Sequence, residues 1–178
     1  MVPSHSSIPS TLTSYVERYI ISHEIFPLHT KDIKLLNEAI ALAVQNVRNG
    51  GGPFGAIIVT AEGKVYEGVN RVTANNDPTA HAEVTAIRNA CSGEGTFDLS
   101  GATLYTSCEP CPMCLGASLW ARITKIVYGA DRWDAAGAGF DDAEFYETIT
   151  NPPIQRDEES DFHAPFNEWR ANSERIAY

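Results

Sequence analysis

The sequence lacks long apolar runs, a basic start and an excess of positive charge. Nowhere do roughly eighteen apolar residues follow one another, so no membrane-spanning segment is expected. Residues 1–14 contain neither the basic and apolar regions of a secretion signal nor the arginines of a transit peptide. These absences favour a cytoplasmic protein that does not bind membranes.

Positive charge is scarce, since 13 Lys and Arg stand against 23 Asp and Glu, giving a net charge of −10. Most of the acidic excess lies between Asp131 and Tyr178, where four Arg face twelve acidic residues. A long polyanion would be repelled by this part of the chain. Nucleic acid is therefore not an expected partner.

Cysteine is also scarce, and its spacing argues against disulfides. Three of the four cysteines, Cys108, Cys111 and Cys114, fall within seven positions. Such spacing is typical of metal ligands. Cysteines that are not paired in disulfides indicate a reducing compartment. A chain of 178 residues can bury one sizeable core without disulfides.

The chain is expected to consist of an N-terminal extension, residues 1–30, and one domain, residues 31–178. The extension begins Ser- and Pro-rich and then has apolar residues at helical spacing. Its three histidines, His5, His23 and His29, are expected on the surface rather than as metal ligands. From an N-cap at Thr30 or Asp32, an apolar face predicts a helix that ends at residues 49–53; the face comprises Ile33, Leu36, Ile40, Ala43, Val44 and Val47.

The order of the remaining predicted elements indicates a mixed α/β sheet. A hairpin (56–60 and 64–72) precedes a helix (80–91), a strand (102–106), a helix ending near 121, a strand (123–128) and a helix (143–150). A helix between the later strands implies a sheet with helices on both faces. The glycines of residues 50–55 follow a helix and lack the Lys-Ser/Thr ending of a phosphate loop, so they indicate a helix stop.

Two cysteines are placed at the predicted start of a helix. Pro112 suits a first helical turn because its missing N–H costs nothing there. The positive end of the helix favours thiolates, and Cys111 and Cys114, three residues apart, can chelate one ion. Cys108 also has chelating spacing to Cys111, but it precedes the helix and is expected to be a small buried residue.

His81 and Glu83 complete a set of residues suited to an activating zinc site. Zinc with three protein ligands keeps a fourth position for water, and a nearby glutamate can accept a proton from that water. The pair His81-Ala82-Glu83 and Pro110-Cys111-Pro112-Met113-Cys114 matches the H-x-E and P-C-x-x-C signature of zinc nucleobase deaminases. The inferred reaction is hydrolytic deamination.

The chain resembles the cytidine deaminase superfamily, and within it the small bacterial guanine deaminases. The similarity covers roughly residues 31–178 and lies in these segments: Gly51 to Ala56, Asp77 to Val84, Ser107 to Gly116, Gly139 to Asp142, and an aromatic tail. The similarity does not include residues 1–30, Ser92–Leu99 or Asn151–Ala164.

The resemblance implies a three-layer α/β/α cytidine deaminase-like fold with a central mixed sheet of about five strands. It implies one Zn²⁺ per chain, held by His81, Cys111 and Cys114, with Glu83 as proton shuttle. The implied reaction converts guanine, a small purine base, to xanthine and ammonia in purine catabolism or salvage. Guanosine, a pterin, an aminotriazine or tRNA adenosine are alternative substrates, and a non-catalytic zinc-binding module is an alternative of another class.

The resemblance also implies which residues bind the base. Phe54 and Trp120 would pack against it, Asn70 and the backbone at Ala82 would supply polar contacts, and Asp142 would read the purine edge. Asp142 could equally be the N-cap of the helix that follows. A homodimer is implied in which residues 143–178 are exchanged and Tyr178 helps to close the partner's site; the alternative is that this tail folds back on its own subunit.

Overall fold

A four-stranded mixed sheet forms the centre of the computed structural model, which describes residues 29–150, 164–174 and 176. Its spatial order is β2-β1-β3-β4. β1 is antiparallel to both neighbours, whereas β3 and β4 are parallel. The strands are β1 (Gly55–Val59), β2 (Val65–Val69), β3 (Thr103–Cys108) and β4 (Lys125–Ala130).

Seven helices lie within the described residues. They are α1 (Thr30–Arg48), α2 (Val72–Asn75), α3 (Ala82–Glu94), α4 (Pro112–Trp120), α5 (Arg132–Gly137), α6 (Ala143–Thr150) and α7 (Ala164–Ala171). The predicted hairpin, the crossover helix between β3 and β4 and the helix at 143–150 are confirmed. The short helix α2 occupies a segment predicted as the end of a strand and a loop.

Helices cover both faces of the sheet, which confirms the three-layer α/β/α fold. On one face, α1 packs on a cluster of Leu35, Ala39, Ile57, Val59, Tyr105 and Val127. On the other, α3 and the residues after α4 pack on a cluster that includes Ala56, Ile58, Ala82, Ala86, Leu104 and Ile123. The two clusters use alternate residues of the same strands, as a sheet buried on both sides requires.

The sheet has four strands in the described residues, rather than about five. The chain turns into α5 directly after β4, because Asp131 Oδ1 accepts hydrogen bonds from the backbone N–H groups of Trp133 and Asp134 at 2.9 Å each. In return, Asp134 Oδ2 accepts from the Asp131 N–H at 3.0 Å, which completes a capping box. The four strands are the four that the sequence pattern predicts, and this local capping starts a helix directly after the last of them.

The predicted apolar face of α1 is wrong in part. The buried side of the helix consists of Asp32, Leu35, Ala39, Ala43 and Asn46, whereas Ile33, Ile40, Val44 and Val47 are exposed. The small alanines let the helix approach β1 so closely that a Cβ on Gly55 would lie 2.4 Å from the carbonyl oxygen of Ala39. Close backbone approach, and not the bulk of the side chains, selects the buried face.

The start of α1 also differs from the prediction, because His29 is the N-cap and no side chain caps the helix. Its end is as predicted, since Gly50 has a φ of +83° and the Gly51 N–H donates to the Asn46 carbonyl at 2.8 Å. None of the helices in the described ranges is long and apolar enough to cross a membrane. The extension up to residue 28, including its two histidines, lies outside the described residues.

Candidate metal and active site

Two helix starts meet at one end of the sheet and bring the metal-ligating side chains together. After β3 ends at Cys108, Cys111 is the N-cap of α4 and Pro112 is its first residue, as predicted. The carbonyl of Cys111 accepts from the Leu115 N–H at 2.9 Å, so the first turn is closed. This turn holds Cys114, which is fully buried, on the same side as Cys111.

His81 is the N-cap of α3, and Glu83 follows in its first turn. The chain is turned into this position by Asp77, whose Oδ1 accepts from the Thr79 N–H at 2.8 Å and from the Thr79 hydroxyl at 2.7 Å. The His81 N–H then donates to the Thr79 carbonyl at 2.8 Å. The predicted placement of His81 at the tip of the helix is confirmed.

The ligand atoms of His81, Cys111 and Cys114 all lie within 4.8 Å of one another. Nδ1 of His81 lies 3.6 Å from Sγ of Cys111 and 3.5 Å from Sγ of Cys114. A tetrahedral zinc ion with Zn–S of about 2.3 Å and Zn–N of about 2.0 Å would separate these atoms by about 3.5 Å. The donor set and its spacing therefore fit zinc, with Nδ1 as the donor of His81.

The two sulfurs differ in their affinity for protons. A hydrogen bond from Cys114, together with a hydrogen bond with His81, lowers the pKa of Cys111 to about 4. The same hydrogen bond raises the pKa of Cys114, and burial adds to this effect. The hydrogen bond with Cys111 raises the pKa of His81. The three groups therefore titrate as one coupled cluster, as expected for closely spaced ionisable groups.

Glu83 is buried beside this cluster. Its Oε2 accepts a hydrogen bond from Sγ of Cys114 at 3.4 Å. Burial raises the pKa of Glu83, because the charged carboxylate loses its hydration. The carboxyl group thus lies in contact with the ligand set and outside it, as the sequence predicts for a proton-transferring residue.

A cavity of about 540 Å³ opens over His81, Glu83 and Cys111. Phe54, Asn70 and Asp142 also line it. Burial raises the pKa of Asp142, while Arg132 opposes this effect. The cavity therefore brings together the predicted metal ligands, the predicted acid–base residue and three of the predicted base-binding residues.

The family model of the cytidine and deoxycytidylate deaminase zinc-binding region matches residues 29–130. The chain belongs to this deaminase family. Guanine deaminase of Bacillus subtilis is 48% identical over 150 residues, which cover 80% of this chain and 96% of that protein. The X-ray structure of guanine deaminase from Bacillus subtilis aligns with a TM-score of 0.79 and 46% identity, over 85% of this chain and 99% of that one.

A second curated relative carries the name of another deaminase. The tRNA-specific adenosine deaminase of Haemophilus influenzae is 37% identical over 124 residues, which cover 66% of this chain and 72% of that protein. The two relatives share the zinc-binding deaminase region and differ in substrate. The metal and the class of reaction thus follow from the family, and the base does not.

Two predicted base-binding residues within the described part of the chain, Trp120 and Ala82, do not line the cavity of this deaminase. Trp120, at the end of α4, is 70% exposed and lies outside the lining, so its packing against the base stays a prediction. Ala82 is fully buried in the core, and the polar contact of its backbone also stays a prediction. Tyr178 lies outside the described residues.

Sequence reasoning missed several residues that line the cavity. Phe140 meets Phe54 edge to face, with the ring centroids 5.0 Å apart and the planes at 86°, so it orients the predicted aromatic wall. Glu109 and Arg132 also line the cavity. Cys108 was predicted to be buried, which is confirmed; its Sγ lies 3.6 Å from the carbonyl of Asp131, and burial raises its pKa to about 11.

Proposed function

We propose that the chain is a zinc-dependent guanine deaminase that hydrolyses guanine to xanthine and ammonia in purine catabolism or salvage. The observation that carries the proposal is a cavity of about 540 Å³, large enough for a purine, that is lined by Glu83, by two members of the metal-ligating cluster and by Asp142. The similarity to the Bacillus subtilis enzyme, which extends over nearly all of that protein, supports guanine as the base.

His81, Cys111 and Cys114 would hold the zinc ion, one per chain. When bound, zinc supplies the Lewis acidity that makes water nucleophilic at neutral pH. Glu83 would take the proton from the attacking water and return protons to the ring nitrogen and the departing amine. The balance is one water consumed, one C–N bond broken, one C–O bond formed and one ammonia released.

Asp142 would select guanine by accepting hydrogen bonds from the ring N–H edge. Adenine has an acceptor at N1 at neutral pH, where guanine has N1–H, so it could not donate to this carboxylate from that position. Phe54, held edge to face by Phe140, would pack against the face of the base, as we also expect of Trp120. Asn70 and the backbone at Ala82 would supply the remaining polar contacts.

We further propose a cytoplasmic homodimer in which the part of residues 143–178 that follows α6 is exchanged and Tyr178 completes the partner's site, while α6 stays on its own subunit, where Tyr146 contacts Arg132. The C-terminal segment supports this proposal, because large apolar side chains in it are exposed: Phe145 (64%), Ile149 (57%) and Ile176 (69%). Such side chains need a surface to cover them. Residues 1–30 are proposed as an extension outside the deaminase domain.

A transfer RNA adenosine is the second candidate substrate, favoured by the relative from Haemophilus influenzae. The net charge of −10 opposes it, because phosphate contacts supply much of the affinity for RNA. Guanosine, a pterin and an aminotriazine stay alternative substrates. A non-catalytic zinc module would have no use for Glu83.

A panel assay for released ammonia tests the proposal. Purified protein is incubated with guanine, guanosine, adenine, a pterin, an aminotriazine and a transfer RNA. We expect the highest kcat/KM with guanine. Turnover of guanosine or of transfer RNA without turnover of guanine would overturn the assignment of the base, and no ammonia from any of them would favour the non-catalytic module.

A further inference from the structure

Among the parts of the chain that line the cavity over the metal-ligating cluster, two walls carry the residues proposed to react with the base and to read it, and residues 50–54 and 70–73 line the rest. One wall is the loop between β3 and α4 together with the first turn of α3, and it carries the ligands and Glu83. The other is formed by α5, by the loop after it and by the start of α6, and it carries Asp142. A base that is read by Asp142 reaches the reacting centre only if these walls keep a fixed separation.

Arg132, the first residue of α5, is bound to the metal-side wall by a forked set of hydrogen bonds. Its Nε and its backbone N–H both donate to Oε2 of Glu109 at 3.1 Å, and its Nη2 donates to Oε1. Glu109 is itself tied to β4, since its N–H donates to the Ala130 carbonyl at 2.8 Å. A planar guanidinium that meets both carboxylate oxygens has a defined orientation.

The same guanidinium also contacts the wall that carries Asp142. Its central carbon lies 4.4 Å from the centroid of the Tyr146 ring, a cation–π contact. Tyr146 lies on α6, one helical turn after Asp142. Arg132 therefore joins Glu109, which stands two residues before the ligand Cys111, to the helix that begins next to Asp142.

We propose that Arg132 is a positioning residue, which fixes Asp142 at the distance from Glu83 and the zinc ligands that a bound guanine requires. It acts through Asp142 and does not touch the reacting atoms; the inference rests on the proposed function. Asp142 keeps its place relative to the other wall only while the two walls are linked, so loss of the link should weaken binding of the base measurably. A lysine at position 132 could form an ion pair with Glu109, but it lacks the planar guanidinium that donates to both carboxylate oxygens.

The test compares Arg132→Lys with wild type in guanine turnover. We expect KM for guanine to rise about tenfold while kcat stays within about twofold, because the substitution disturbs where the base is held and leaves the reacting centre intact. Zinc content and the melting temperature should stay at the wild-type level. A merely structural role would instead lower the melting temperature and the active fraction without a selective change in KM.

Arg122→Lys is a matched control. Arg122 also combines an acidic partner with an aromatic ring, since its Nε lies 3.6 Å from Asp98 and its guanidinium lies 5.3 Å from the centroid of Phe97. It does not line the cavity. We expect its KM to equal that of the wild type.

The decisive arm repeats Arg132→Lys in an Asp142→Asn background. If Arg132 acts through Asp142, it should add less than about twofold to KM there. The same tenfold rise of KM in both backgrounds would overturn the proposal, and so would an unchanged KM in the single variant. In either case, guanine turnover by the wild type would still uphold the proposed function. No guanine turnover by the wild type would overturn both.

Discussion

Sγ of Cys114 donates to Oε2 of Glu83 at 3.4 Å, although the two residues stand 31 positions apart in the chain. The contact joins the start of α3 to the first turn of α4 beneath the cavity. It places the carboxyl group of Glu83 beside the ligand cluster, where the proposed reaction needs a group that accepts and returns a proton. The position of Glu83 relative to the metal ligands is therefore set by the packing of two helix starts.

Replacing Glu83 by Gln should abolish proton transfer and preserve zinc binding. The amide keeps the size of the buried side chain but cannot accept and return a proton, so kcat should fall by at least about 100-fold. Zinc content by atomic absorption should stay near one per chain. Glu94→Gln is the control, because Glu94 pairs with Lys64 and Tyr66 away from the cavity. Full turnover in Glu83→Gln would contradict the mechanism.

Loss of the buried thiol should remove the metal. Cys114→Ser should reduce both zinc content and turnover to below about a tenth of wild type, because a hydroxyl binds zinc far more weakly than a thiolate. A strong chelator should inactivate the wild type, and added zinc should restore it. Cys91→Ser, on the opposite end of α3, should retain metal and activity; zinc loss in that variant would point to general unfolding.

The metal ligands could be predicted because their signals are local. Pro112 indicates the helix start that holds the two cysteines. The H-x-E triplet lies at the start of another helix, which is predicted over residues 80–91. The walls of the cavity could not be predicted so well, because Glu109 and Arg132 are 23 positions apart and neither belongs to a motif with known chemistry. The buried face of α1 was missed because alanine, which allows close approach to β1, is a weaker apolar signal than Ile or Val.

Removing the end of the chain tests the exchanged tail. Deletion of residues 176–178 should lower kcat/KM for guanine about tenfold, the effect of losing roughly 1.4 kcal/mol of contacts at the site, and should leave zinc content unchanged. Tyr178→Phe separates the hydroxyl from the ring. Sedimentation of both variants reports whether the dimer persists. Unaltered kinetics would mean that the tail only packs against the body.

Gly68 should be essential for the packing of α3 on β2. A Cβ at this position would lie 2.3 Å from the Ala82 carbonyl oxygen and 2.4 Å from the Ala86 backbone nitrogen, atoms that cannot move independently of the helix. Gly68→Ala should lower the free energy of unfolding by about 1–3 kcal/mol. Gly116→Ala, in the interior of α4 with open space around it, should raise it by about 0.5–1 kcal/mol in the same denaturant titration. Equal effects would contradict the close approach.

The buried carboxylate of Asp32 should govern the acid limb of stability. It accepts hydrogen bonds from Lys125 at 2.8 Å and from the Tyr105 hydroxyl at 2.6 Å, which join α1 to β4 and β3 and lower the pKa of Asp32. Because the folded pKa lies below the unfolded value of about 3.9, this stabilisation is fully present above about pH 5 and disappears as pH falls through the folded pKa.

Asp32→Asn should therefore cost about 1–3 kcal/mol of unfolding free energy at pH 7, and the difference from wild type should shrink as the pH approaches about 2. Glu38→Gln is the control on the same helix. Glu38 pairs with Lys34 at 3.6 Å on the exposed side, so its loss should cost less than about 0.5 kcal/mol at any pH. Urea titrations from acid to neutral pH measure both variants; a deficit in Asp32→Asn that stays constant with pH would mean that packing, and not the charge of Asp32, stabilises this contact.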